Sequence, residues 1–394
     1  MENNPPTTLM QMAHLFQMEL FPRVQAVVGE LSSQAQLLVK ASVLVPWDKF
    51  LCRNRIGRPA EDRKAMQIAF LAKAIYNLPT TRQLLDRLHN DSQLRHLCGW
   101  QHAEQIPSES TFSRAFAELA ANRTVEHLHR ALIELRASDR LIGHIARDST
   151  AIEARERFPG PSGRRKENQS DDPPANKAKK SRKKQPRGRF ARAKAQDRGT
   201  EIEKQRKMKL SQMLARLPNQ CAIGVKTSSK GHQRYWVGYK LHLDVADGEI
   251  PISAILTGAN VHDSQVAIPL MTMTEQRVPY LYDVMDSAYD AEAILAHSRA
   301  RGRVPVVAPH PRRGTKKPSA VPKVRPPKLA PEMDPAKQIR YAERTMSERV
   351  NGRLKDNFGG RYIWVRGPLK VMTHLMFGLL AMTVDQLIKR LNII

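Results

Sequence analysis

Cysteine is scarce in this 394-residue chain. Cys52, Cys98 and Cys221 stand far apart, and no CxxC pair occurs. That excludes a zinc ribbon or a disulfide framework and fits a reduced, intracellular compartment. The opening MENNPPTTLMQ lacks a charged stretch followed by an apolar core, so no signal peptide is expected. Long unbroken hydrophobic runs are missing too. The most apolar stretch, VMTHLMFGLLAMTVDQLIKRLNII, is interrupted by His374, Asp385, Gln386 and Lys389. It reads as a buried helix and not as a membrane span. Acidic residues are the last deficit: 38 Asp and Glu against 65 Lys and Arg leave a net charge of +27. Such an excess points to a polyanionic partner, and without a membrane signal that partner is nucleic acid.

What is present falls into segments. A chain of this length is expected to form one to three domains. Residues 1–135 read as an all-α N-terminal domain. FLAKAIYNL, TTRQLLDRLHN and STFSRAFAELA carry apolar residues three and four apart, with helix starts marked by Pro79-Thr80-Thr81 and Pro107-Ser108. In SESTFSRAFAEL the leading Ser110, Thr111, Ser113 and Arg114 are placed to enter a major groove, and an ordinary packing helix is the competing reading. RLIGHIARD reads as a strand ending at Asp148. Residues 158–217 then form a basic insert, expected to be partly disordered without a partner. It holds 19 Lys and Arg against 6 Asp and Glu from 160 to 217, a net +13. Lys180, Arg182, Lys183 and Lys184 sit in its densest part and are assigned to DNA phosphates, a contact that reads no sequence. Its end, EIEKQRKMKLSQMLARL, has the composition of a basic helix.

Strand character returns at WVGYKLHLDVA, with period-two alternation from Val237 to Val245. Asp247-Gly248 turns the chain into IPISAILT. A loop leads into a helix with Asp263 or Ser264 as its cap. YLYDVMD is a short strand ending at Asp286, and DAEAILAHSRARG is a helix closed by Gly302. VPVVAPH is another strand, followed by a Pro/Lys/Arg-rich linker and a last polar helix. A meander followed by alternating helix and strand gives an α/β fold, a mixed sheet flanked by helices in the RNase H-like order. Its parts are residues 140–157 and 218–394, interrupted by the insert.

The polar helix is YAERTMSERVNGRLK. At about 100° per residue, Tyr341, Arg344, Glu348 and Lys355 fall within an arc of roughly 60°, while Met346, Val350, Leu354 and Phe358 lie opposite. A charged stripe over an apolar one is ordinary for a surface helix. The aspartates that close two strands add meaning, because reactive groups gather at strand ends in open sheets. Asp148, Asp286 and Glu348 together would repel one another unless cations neutralised them, and hard oxygen ligands suit magnesium or manganese. Two such ions can clamp an in-line attack on a phosphodiester. Arg344 and Lys355 would hold phosphate oxygens, and Tyr341 would stack on a base or bond a phosphate. Asp263 is the rival to Asp286, with capping as its favoured role.

At these residues the chain resembles the insertion-sequence DDE transposases. Their YREK signature spaces Tyr, Arg, Glu and Lys by two, three and six residues, as residues 341–355 do. RDSTAIEA and VMDSAYDAEAI look like the first and second aspartate motifs, TGANVHDSQ resembles another family segment, and the N-terminal stretch is similar to the helical domain that precedes the core in many members. The likeness covers roughly 55 to 390. It implies Asp148, Asp286 and Glu348 as catalytic residues and ligands of two Mg2+ or Mn2+ ions. It implies Tyr341, Arg344 and Lys355 as contacts to DNA ends, terminal inverted repeats and target DNA as double-stranded partners, no membrane, and a homodimer on paired ends. The expected location is the bacterial cytoplasm, beside the nucleoid. The alternative is an inactive or domesticated DNA-binding protein that keeps the fold. Two departures stand out. Ala288 occupies a position where relatives often have Gly, which matters only if the turn needs φ > 0. Only 62 residues separate Asp286 from Glu348, too few for the β-rich insertion of some relatives.

Overall fold

The computed structural model describes residues 16–50, 62–138, 140–156, 200–227, 232–308 and 334–389. Seven α-helices come first among these: α1 (Phe21–Val28), α2 (Ser33–Leu44), α3 (Arg63–Ile75), α4 (Thr81–Asn90), α5 (Ser92–Cys98), α6 (Glu109–Ala121) and α7 (Thr124–Ala137). Their starts are written in the sequence. Thr80 accepts the Gln83 N–H to cap α4, and Asp62 accepts from Lys64 and Ala65 to cap α3.

β1 (Ile142–Glu153) opens the sheet. Two short helices, α8 (Glu201–Gln205) and α9 (Leu210–Arg216), lead into β2 (Ala222–Thr227), β3 (Gln233–Ala246) and β4 (Ile250–Gly258). The expected single basic helix is therefore split, and Met213 is buried. Next come α10 (Ser264–Glu275), β5 (Tyr280–Met285), α11 (Glu292–Ala300) and β6 (Val304–Val307). α12 (Pro335–Ala342), α13 (Thr345–Asn357) and α14 (Pro368–Lys389) complete the described chain. β4 and β1 flank β3, all antiparallel, and β1, β5 and β6 run parallel, so the sheet is mixed and RNase H-like. β2 pairs with the leading part of β3 from Gln233 to Gly238, as a ribbon. Gly224 lies opposite Trp236, whose ring occupies the space a Cβ would need.

Leu241, Leu243 and Val245 of β3 share one core with Val350 and Leu354 of α13, Leu375 and Leu379 of α14, and N-terminal residues such as Leu38, Leu71 and Phe112. α14 is long and apolar enough to span a membrane, yet 94 % of its apolar stretch is buried inside the protein. It packs against α2, α3, α6, α7, α13 and β4. The opposite face of the sheet is covered by α10 and α11 through Val266, Leu270, Met271 and Ile294.

Two expectations are corrected. β1 does not end at Asp148 but continues to Glu153, because β3 keeps pairing with it as far as Gly238. Residues 341–355 are not one helix. The backbone tightens between α12 and α13, with Arg344 N–H bonding the Tyr341 carbonyl and Ser347 N–H bonding that of Arg344, a three-residue turn. Ala288 lies in a 3-10 turn and has no positive φ, so glycine is not required there.

Candidate active site

The candidate site begins where the pairing of β1 with β5 stops. Their last register pair is Arg147 with Met285. Asp148 and Asp286 are the next residue on each strand. Strand alternation sends Asp148 to the face of Leu243, under α13, and Arg147 to the face of Asp244. Asp286 Oδ1 accepts the Ala288 N–H at 2.9 Å, which fixes its carboxylate at the start of the turn. Asn351 of α13 donates to Asp148 Oδ2 at 3.2 Å.

Burial pushes the Asp148 carboxyl up to about 6, and the charge of Asp286 adds to that while the Ser149 N–H and Arg344 oppose it. Burial likewise raises Asp286, with Asp263 adding and Arg344 opposing. Two carboxylates on adjacent strands thus resist ionisation without a cation between them.

Arg344 and Glu348 form an ion pair of 2.8 Å across one turn of α13, and Arg344 lies 5.7 Å from the Tyr341 ring centroid. Across the break between helices, the charge of Arg344 acts on both aspartates and that of Asp286 on Tyr341, while Glu348 is tied to them through Arg344. Glu348 is half exposed and faces Arg344, and among the described residues no closed cluster of three carboxylates forms. Lys355 sits two turns farther along. Its pKa is lowered by burial and by Arg361 and Lys226, so it belongs to a separate cationic cluster. Arg114 folds back on α6, bonding the Ser110 carbonyl and the Thr111 hydroxyl, far in sequence from the carboxylates. Lys180, Arg182, Lys183 and Lys184 lie outside the described residues, as does most of the insert and its expected disorder.

Asp263 does not cap α10 with its side chain. Lys240 Nζ donates to its carboxylate at 2.9 Å, and His242 Nδ1 lies 3.8 Å away. Burial raises its pKa, and His242 and Lys240 outweigh that, so it stays below the usual range. Glu153 pairs with Arg234, and Glu156 accepts from the Tyr239 hydroxyl and the Gly367 N–H, so neither faces the aspartates.

Sequence reasoning missed three residues. Asn351 stands three positions after Glu348 on the same helix, which was the available signal. Tyr289, inside the second aspartate motif, is fully buried near Asp148, Asp263 and Asp286, and its hydroxyl has no partner among the described residues. Arg147 is fully buried between Asp244 at 2.7 Å and Asp283 at 3.2 Å, joining three strands directly behind Asp148.

Residues 139–384 match the family described as Transposase DDE domain. The chain belongs to the insertion-sequence DDE transposases. Residues 27–118 of this transposase match a second family, Transposase domain (DUF772), over helices α2 to α6. Neither a curated protein nor a solved structure matches. For this transposase the donor chemistry fits a divalent cation: Asp148 and Asp286 are hard oxygen donors whose shared charge Arg344 offsets only in part, and a tyrosine hydroxyl without a partner among the described residues lies near them.

Proposed function

We propose that this chain binds the terminal inverted repeats of an insertion element, cuts the phosphodiester at each end to free a 3′-hydroxyl, and joins that end to target DNA. The observation that carries the reading is the pair Asp148 and Asp286, side by side where β1 and β5 part, with Arg344 and Glu348 alongside. Asp148, Asp286 and Glu348 would hold two Mg2+ or Mn2+ ions. Held there, such ions would supply activation of the attacking oxygen and stabilisation of the leaving one. Asn351 orients Asp148, and the Ala288 N–H orients Asp286. Arg344 holds Glu348 in the unloaded protein and turns to a phosphate oxygen when DNA enters. Tyr341 and Lys355 contact the DNA end, the first beside the carboxylates and the second about 10 Å along α13 from Glu348.

The N-terminal domain, residues 1–135 with Arg114, binds the repeats, and the basic insert 158–217 holds backbone phosphates of double-stranded DNA. The protein acts as a homodimer in the cytoplasm, needs no membrane, and pairs two ends. Asp286→Asn is expected to abolish metal-dependent cutting of an end-containing duplex, at least about a thousandfold or 4 kcal/mol in barrier, while DNA binding stays within about twofold. Cutting at the wild-type rate would remove Asp286 from the mechanism.

One observation favours a second reading. Glu348 is paired with Arg344, and no cluster of three carboxylates forms among the described residues, an arrangement that a DNA-binding protein no longer able to cut would tolerate. Wild-type protein that binds end DNA but leaves it intact in Mg2+ and in Mn2+ would establish that reading. Cutting without joined product would indicate a nuclease.

A further inference from the structure

Apolar burial does not hold α12 on the sheet. The helix spans eight residues, none of them buried, and Ile339 is 74 % exposed. A helix that short does not persist in water on its own propensity, yet α12 lies against β5 and β6. Its hold is a row of side chains from the sheet. The Arg340 guanidinium lies 4.0 Å from the centroid of the Tyr282 ring of β5, and its Nη1 is 3.5 Å from His144 Nε2 of β1. His144 and Tyr282 are register partners on adjacent strands, with their rings stacked at 5.2 Å and 23°. Asp247, from the turn between β3 and β4, fixes the imidazole. Its Oδ2 accepts the His144 backbone N–H at 2.9 Å, and its Oδ1 lies 3.0 Å from Nδ1. A Cβ at Gly143 would come within 2.8 Å of Asp247 Oδ2, so glycine keeps that approach open.

The row has one direction of bonding. A carboxylate only accepts, so Nδ1 carries the imidazole proton and Nε2 is left to accept, while a guanidinium only donates. The flat cation over the Tyr282 face adds to that hold. The helix end of the row bears on the candidate site. Arg340 is followed directly by Tyr341, and Arg344 comes one turn later, where its charge acts on Asp148 and Asp286. His144 and Asp148 share one face of β1, four residues or about 13 Å apart. We propose that His144, Asp247, Tyr282 and Arg340 are positioning residues, a clasp that seats α12 on the sheet and so holds Tyr341 and Arg344 in place for the DNA end. The assignment rests on the transposase reading above and adds what fixes two residues of that site from outside it.

Two readouts on the full chain test the clasp. One is hydrogen exchange in peptides covering 335–344. The other is Mg2+-dependent cutting of an end-containing duplex at saturating DNA. Arg340→Ala should speed exchange in 335–344 about threefold to thirtyfold and leave α13 and β5 as in the wild type. It should slow cutting about tenfold to a hundredfold while duplex affinity stays within about twofold. Tyr282→Ala should do the same. Tyr282→Phe keeps the ring under the guanidinium and should bring both readouts back near the wild type. Unchanged exchange in Arg340→Ala overturns the clasp, and so does faster exchange with cutting at the wild-type rate. If Arg340→Ala loosens the whole sheet, the Tyr282 pair decides, and a Phe variant that behaves like the Ala variant overturns the clasp. In each of these outcomes a wild type that cuts leaves the transposase reading standing. A wild type that binds the duplex and never cuts it overturns that reading and the positioning role together.

Discussion

Arg147 and Asp148 are neighbours in one strand, yet the two faces of the sheet treat charge in opposite ways. On the Arg147 face the charges are closed off. Burial works against the Arg147 cation, Asp244 and Asp283 outweigh it, and Thr274, Ser298 and Tyr280 bond the two carboxylates. On the Asp148 face two carboxylates are left without a full cationic partner, and burial makes each harder to ionise. Burial raises the Asp244 carboxyl as well, but there Arg147 and Thr274 oppose it by direct bonds, and a buried charge paired in this way holds strands together. A half-buried charge left short of a partner is a place for something that arrives later. Lys73 marks a third case: buried beneath α14, its Nζ meets His374 Nδ1 at 3.5 Å, and burial lowers its pKa to about 8.

Breaking the closed face should give the largest effect. Arg147→Met leaves two buried carboxylates facing each other and is expected to lower unfolding stability by about 3–5 kcal/mol in urea titrations. A loss below about 1 kcal/mol would mean that the network does not hold the strands. Next comes Lys73→Met. The folded pKa is below the unfolded one, so the wild-type protein loses stability as pH falls from 10.5 through 8. The variant should gain up to about 3 kcal/mol at pH 7, and the gain should vanish near pH 10.5. The smallest effect belongs to Asp148→Asn without divalent cations. Its folded pKa is raised, so the wild type is favoured below 3.8 and loses stability as pH rises through about 6. The variant should be more stable by up to about 3 kcal/mol at pH 8 and equal to wild type below pH 4. Added Mg2+ should stabilise the wild type and not the variant, and an equal response would argue that Asp148 binds no cation.

Much of this was readable in the residues. The helices of the N-terminal region announced themselves by apolar spacing and by caps such as Thr80, and the strand through Leu241 and Leu243 by alternation. β2 was missed because AIGVKT is short, with Ile223 and Val225 exposed, so no buried face marks its pattern. Asp148 was misread as a strand end, since strand length depends on how far β3 pairs, which β1 alone does not encode. The helical wheel identified the buried side of α13, Met346, Val350 and Leu354, and misjudged continuity at Arg344, where a tightened turn costs no apolar contact. Arg147 and Asn351 act through partners 97 to 203 positions away, and the Tyr289 hydroxyl has no partner among the described residues, so their local sequence says little about their roles.

The buried helix α14 has a consequence for synthesis. It leaves the ribosome after the N-terminal helices and the sheet, yet it is the piece against which α2, α3, α6, α7 and β4 all pack. Those elements can form locally as they emerge, but their common interior stays open to solvent until α14 arrives. A prematurely stopped chain therefore carries every proposed catalytic residue and lacks the wedge that joins its halves. Nascent or truncated copies should be sticky and idle, and activity should switch on only with a chain that has been translated through α14.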